Sequence, residues 1–188
     1  MQENIPFERL GGEFVVKLFI WFYCLPIEGV LVLVLLASLV FFFLREKFNN
    51  TLYWKVGVLV LLVCWMAVIL FATVGQRTKD VNSLEPVLQP FASYLAVLNG
   101  GTKEFLRANF MNITLFYPAG LLGCEALPKQ WNKYWKLLLN IAIFLLLSIG
   151  IEHFQYRFGL GQAEIDDVIH NTLGVLIGGI VSRIRKSK

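Results

Sequence analysis

The chain has 188 residues, of which 57% are apolar, 14% aromatic and 16% charged, with a formal net charge of +4. Soluble domains are roughly 45–50% apolar, so this composition, with a mean hydropathy of +0.64, excludes an ordinary soluble fold and implies a membrane protein. The small positive charge has no soluble basic domain to carry it, which argues against nucleic-acid binding and suits anchoring of one membrane face to anionic lipid.

In chain order, residues 1–13 carry Glu3, Glu8, Arg9 and Glu13 in place of a basic leader, and no small-residue cleavage site follows Phe14–Cys24, so no signal peptide is expected. Residues 1–24 form a separate N-terminal segment. Two forms of it stay open: an interfacial helix, or an extension of the first span kinked at Pro26. Crossing a bilayer takes about 20 apolar residues; Leu25–Leu44 and Tyr53–Val74 reach that length, and Asn112–Leu127, Leu137–Ile151 and Val168–Ile184, which are shorter or contain polar residues, make five expected spans. The expected fold is therefore all-α, a polytopic membrane helix bundle of about five spans in a single domain, residues 25–188, with a long loop between the second and third spans. Cys24, Cys64 and Cys124 sit in or beside apolar runs without CxxC or Cys/His spacing, so buried free thiols are expected, with neither a disulfide framework nor a zinc site.

Arg45, Lys47, Lys55, Lys129, Lys133, Lys136, Arg183, Arg185, Lys186 and Lys188 lie tight against span ends, whereas Arg9, Lys17, Arg77, Lys79, Lys103, Arg107 and Arg157 are dispersed. Positive charge in short loops marks the cytoplasmic side, which predicts an outer N-terminus and a cytoplasmic C-terminus. The long loop, Gly75–Met111, then faces outward. Pro86 and Pro90 break it, Phe91–Leu98 is apolar, Asn99-Gly100-Gly101 signals a turn, and Thr102–Phe110 suits a short amphipathic helix.

The same outer face receives the stretch IEHFQYRFGLGQAEIDDVIHNTLGVLIGG, residues 151–179. A charge at the bilayer centre costs at least ~2.5 kcal/mol, so ionisable groups there usually mark function. At 100° per residue, Ser148, Glu152 and Gln155 fall within about 60° of one another, as do Asp167, Asn171, Gly174 and Gly178. Two polar stripes result, and because neither turns to lipid cheaply, they are expected to face each other or a hydrated crevice. Gly174 and Gly178 form a small-xxx-small pair that permits close helix approach.

The plainer reading of Asn and Ser is interhelical glue, and of Asp166 an N-cap for its own helix. Glu152 with Asp167 asks for more, since a carboxylate at a helix C-terminus opposes the dipole and two facing carboxylates need a cation between them. Arg107, Arg157 or a bound metal are the candidate counter-charges. His153 and His170 suit surface and packing roles, and without HExxH a zinc peptidase is weakly supported. The third span opens on Asn112, places Phe116 on its face, and carries Pro118 and Gly120, which would kink or loosen the helix.

The ordered set NITLFYPAGLLG, SIGIEHFQ and GLGQAEIDDVIHNTLGVLIGG resembles the VanZ-like family of bacterial membrane proteins, whose pattern runs Asn-x-x-x-Phe-x-Pro-x-Gly, Ser-x-x-x-Glu-x-x-Gln and Asp-Asp-x-x-x-Asn-x-x-Gly-x-x-x-Gly. The likeness covers about Thr73 to Gly179. It places the patterned positions on Asn112, Phe116, Pro118, Gly120, Ser148, Glu152, Gln155, Asp167, Asn171, Gly174 and Gly178. Many relatives carry an arginine shortly before the acidic pair, where this chain has Gly159-Leu160-Gly161-Gln162. The resemblance implies a multi-pass protein of the bacterial plasma membrane, associated with glycopeptide and especially teicoplanin resistance.

Three functions follow as expectations. The first is a binding protein whose outward crevice, with Asn112, Phe116, Ser148, Glu152, Gln155, Asp166, Asp167 and Asn171, receives a membrane lipid, a lipid-linked cell-wall precursor or a glycopeptide, with no cofactor. Phe116, Tyr117, Phe154 and Tyr156 would suit an amphiphile at the lipid–water boundary. The second is an enzyme on a lipid-linked substrate, with Glu152 and Asp167 as acid and base or as cation ligands. No nucleophile–base pair or phosphate loop is legible to support it. The third is a structural or partner-assembly protein.

Overall fold

The computed structural model describes residues 25–48, 51–75 and 85–184. Expectations for residues 1–24, for Cys24 and for Arg77 and Lys79 of the long loop lie outside these described residues. Among them the regular structure is helical: α1 (Ile27–Phe48), α2 (Leu52–Leu70) running into a π-helical turn (Phe71–Gly75), α3 (Ala92–Leu98), α4 (Glu104–Ala126), α5 (Lys133–Phe158) and α6 (Ile165–Val181). One isolated parallel bridge joins Val87 and Glu164. The all-α expectation holds.

The chain divides into two compact units, Met1–Leu44 and Arg45–Lys188. In the first, α1 starts just after Pro26, whose carbonyl accepts Val30 N–H at 3.1 Å. Glu28 in its first turn and Arg45 and Lys47 in its last complement the helix dipole. Ser38 hides its hydroxyl by donating to Val34 O at 2.7 Å, which leaves the helix an apolar surface.

The second unit contains the polar residues. Thr51 caps α2 by accepting Trp54 N–H at 3.1 Å, and Asn132 caps α5 by accepting Tyr134 N–H at 2.8 Å. Helices α1, α2 with its π turn, and α5 are each long and apolar enough to cross a membrane. They contain three of the five expected spans. The other two expected stretches lie on α4 and α6, which do not reach that combined length and apolarity among the described residues. Helix α4 begins at Glu104, so the expected amphipathic segment Thr102–Phe110 and the third span are one helix. No breaker separates Phe110 from Asn112, so the helix propagates through both. Pro118 lies inside α4 without ending it.

Helices α4 and α6 touch backbone to backbone. A methyl group added at Gly120 would collide with the Val175 carbonyl, one at Gly174 with the Ile113 carbonyl, and one at Gly178 with the Tyr117 carbonyl. The small-residue pair therefore serves α4. Alongside this seam lies the apolar core of Ile69, Phe116, Ala119, Phe144, Ile151 and Val175, to which Trp65 is tied by an indole N–H donated to Leu115 O at 2.8 Å. Asn140 fills the space above Gly123 and donates to Gly120 O at 3.0 Å. At the opposite end from the polar stretch, the buried Arg45 guanidinium donates to Ser182 O at 2.7 Å and to Ile184 O, and lies 3.7 Å from the Glu125 carboxylate. Orphan carbonyls at the end of α6 are thereby satisfied.

The cysteine expectation is corrected in part: Cys124 is buried, but Cys64 is exposed. It lies on α2 between Val63 and Trp65, where the helix turns an apolar surface outward, and a thiol is apolar enough to sit there.

Glycine seams of this kind fail by overpacking, typically at ~1–3 kcal/mol. Gly178→Ala should lower stability by that amount in a thermal unfolding assay on purified protein. Gly57→Ala, whose added methyl meets nothing within 4 Å, should cause no loss.

Candidate functional site

Helix α5 runs unbroken past Gln155 to Phe158 and stops on Gly159, whose φ of 63° is the left-handed conformation glycine takes at a helix end. The Leu160 amide closes the turn onto Gln155 O at 2.8 Å. This continuity brings Ser148, Glu152 and Gln155 onto one face, all buried. Beyond the turn, Val87 pairs with the entry to α6, donating to Ala163 O at 2.9 Å and accepting from Ile165 N–H at 3.0 Å, while Gln162 donates to Glu85 O at 2.7 Å. The long loop is thus fastened at Glu85 and Val87 to the start of α6.

Three of the acidic side chains here, Glu152, Asp166 and Asp167, each serve a different element. Glu152, on α5, accepts the Glu164 amide N–H at 3.0 Å. Glu164 is the N-cap residue of α6 and makes no side-chain cap of its own, so Glu152 supplies that cap from a neighbouring helix. Its charge then lies at the positive end of α6 as well as the negative end of α5, which removes the dipole conflict. Asp166 turns away from its own helix and accepts Phe91 N–H at 2.5 Å, Ser93 N–H at 2.9 Å and the Ser93 hydroxyl at 2.5 Å. It therefore caps α3, correcting the expectation of a local cap. Phe91, at φ 61°, has no other side-chain cap to offer that helix. Asp167 accepts from Asn112 Nδ2 at 2.7 Å, binding α6 to α4.

Burial pushes the Asp166 carboxyl up, but the Ser93 hydroxyl, the Ser93 and Phe91 amides and nearby His170 outweigh it. Its pKa falls below the ordinary 3.8. Asp166 precedes the apolar stretch that starts at Val168.

The two stripes do meet. Asn171 donates to Ser148 Oγ at 2.9 Å, and Gln155 donates to Thr73 O at 2.7 Å, a carbonyl of the π turn. Such turns recur at functional sites. Asn171 Oδ1 and Gln155 Oε1 are buried without a partner among the described residues.

Phe116 does not line the polar region: it is fully buried in the apolar core, because its face of α4 lies beside Ala119 and below the Gly120 contact. Arg157 is exposed in the last turn of α5. Among the described residues no ion pair joins it to Glu152 or Asp167, since its side chain leaves the helix on another face. Arg107 is half-buried near the start of α4. No group of three or more His, Cys, Asp or Glu side chains among the described residues is placed to hold a metal ion.

Sequence reasoning missed Ser93, Tyr94, Asn109, Thr73 and the part played by His170. Asn109 donates to Ser93 Oγ at 2.8 Å. His170 is buried, with Nδ1 2.5 Å from Asp166 O and Nε2 2.8 Å from the Tyr94 hydroxyl, and its ring stacks on Tyr94 at 5.7 Å. The one available signal was a serine inside the otherwise apolar run Phe91–Leu98.

A family model described as VanZ/LLP1 matches residues 58–186. Neither a search of curated proteins nor one of solved structures found a match.

Loss of the Asp166 carboxylate should free the loop. Asp166→Ala is expected to raise hydrogen exchange at Phe91 and Ser93 at least about tenfold, since a hydrogen bond to a charged group is worth roughly 1.5–3 kcal/mol, with exchange in mid-α5 unchanged. A carboxyl whose folded pKa is lowered contributes fully above its unfolded value and loses that contribution as pH falls through the folded one. Protection at these amides should therefore be the same at pH 7 and pH 5 and collapse only below 3.8.

Proposed function

The chain belongs to the VanZ/LLP1 family, and from that premise we propose that it is a membrane binding protein of the bacterial cell envelope whose polar end receives a cell-wall lipid precursor or a glycopeptide, contributing to teicoplanin-type resistance. The observation that carries this reading is the assembly of Asn112, Ser148, Glu152, Gln155, Asp167 and Asn171 from three helices at one polar end. Helix association in a membrane is driven by packing, as the glycine seam shows, and needs only a few weak polar contacts. The buried Glu152 carboxylate and the half-buried Asp167 carboxylate, together with so many amides, exceed that need, which supports a ligand-directed role.

Glu152, Asp166 and Asp167 each accept from an N–H or O–H donor. Groups already engaged as acceptors suit recognition better than proton transfer, which needs the carboxylate within hydrogen-bond reach of a substrate proton. In this reading the protein lies in the plasma membrane with its N-terminus outside and its C-terminus in the cytoplasm. The fastened loop and the starts of α4 and α6 then face outward, where such ligands are found.

Cells expressing the wild type should show raised teicoplanin tolerance that Glu152→Gln and Asp167→Asn both lose at membrane levels matched by immunoblot. Equal susceptibility of wild-type and vector cells would overturn the resistance assignment. For orientation, a cysteine replacing Gln162 should react with an impermeant thiol reagent on intact cells, and labelling only after permeabilisation would reverse the topology.

A further inference from the structure

Two acceptors at the polar end have no donor among the described residues. Gln155 and Asn171 are 1% and 2% exposed. Each uses its amide N–H on a neighbour, leaving Gln155 Oε1 and Asn171 Oδ1 unbonded. Buried polar atoms are almost always paired, and an unpaired one demands a reason. At Gln155 the orientation is fixed, because the Thr73 carbonyl can only accept. At Asn171 either orientation leaves one polar atom without a partner, since a single serine hydroxyl faces it.

The missing partner has definable chemistry. Ser148, which holds Asn171, and Gln155 are two turns apart on α5, about 10 Å along the axis. One metal ion or one ammonium group cannot serve both positions. An ionised phosphate offers no donor, and it would meet the carboxylates of Glu152, between those two positions, and of Asp167, one turn before Asn171. A group with hydroxyls on successive carbons meets every condition: each hydroxyl both donates and accepts, carries no charge, and recurs over that length.

We propose that the α5–α6 seam binds the sugar of a glycosylated amphiphile, with Gln155 Oε1 and Asn171 Oδ1 accepting from its hydroxyls. This rests on the binding reading above and narrows it to the ligand's sugar, leaving any phosphate outside the seam. Both acceptors are closed to solvent in this conformation, so the sugar reaches them through local opening between α5 and α6.

The test uses the full chain in phosphatidylcholine nanodiscs doped at equal mole fraction with diglucosyl diacylglycerol, whose two linked rings span that length, plain diacylglycerol or phosphatidylglycerol, with bound lipid counted by native mass spectrometry. The wild type should retain the glucosyl lipid at least about tenfold over the other two, because a site built for hydroxyls rejects analogues that lack them. Gln155→Met and Asn171→Leu, each checked for an unchanged elution profile, should bring that preference to within about twofold. Equal retention of glucosyl and plain diacylglycerol by the wild type would overturn the proposal whether or not the variants fold. So would a preference that survives in both folded variants, since the two acceptors would then hold only water. Teicoplanin protection that depends on Glu152 without any sugar preference would leave the binding reading standing and remove the sugar.

Discussion

Contact between the backbones of α4 and α6 fixes everything at the polar end. Neither helix has the uninterrupted apolar surface of α1, α2 and α5, so each needs a protein neighbour, and Gly120, Gly174 and Gly178 let the two meet without side chains between them. That approach sets Asn112 against Asp167 and presents Asn171 to Ser148 on α5. A side chain at any of these glycines would separate the helices and move the polar groups out of hydrogen-bonding range together.

On this frame the acidic residues complete helices other than their own. Glu152 finishes the start of α6 from α5, and Asp166 finishes the start of α3 from α6. A cap usually comes from the residue just before a helix. Supplying it from elsewhere makes each helix end a tertiary contact. The part of the long loop from Glu85 onward consequently has a defined position, reinforced by the Val87 bridge and by Tyr94 stacked on His170.

Much of this was legible because helical periodicity is a strong constraint. Ser148, Glu152 and Gln155 share a face only if α5 continues through Gln155, and it does. The glycine pattern likewise announced a close approach. Periodicity does not name the neighbour, so the α4–α6 pairing was hidden, as was the burial of Phe116, which depends on which side of α4 meets Ile69 and Val175. Asp166 was misread for a related reason: a carboxylate in the first turn ordinarily caps locally, and nothing in the chain nearby signals that Phe91 and Ser93 compete for it. Joining Thr102–Phe110 to the third span needed only the observation that no helix breaker lies between them. The turn signal at Asn99-Gly100-Gly101 does lie between α3 and α4.

The capping of α3 by Asp166 also orders assembly in time. The donors at Phe91 and Ser93 leave the ribosome well before their acceptor, 73 residues further on between Ser93 and Asp166. Until α6 is made those amides have only water to bond, and unsatisfied backbone groups are not tolerated in hydrocarbon. The segment around α3 therefore cannot take this cap before the last helix exists. Its docking records the arrival of the last helix.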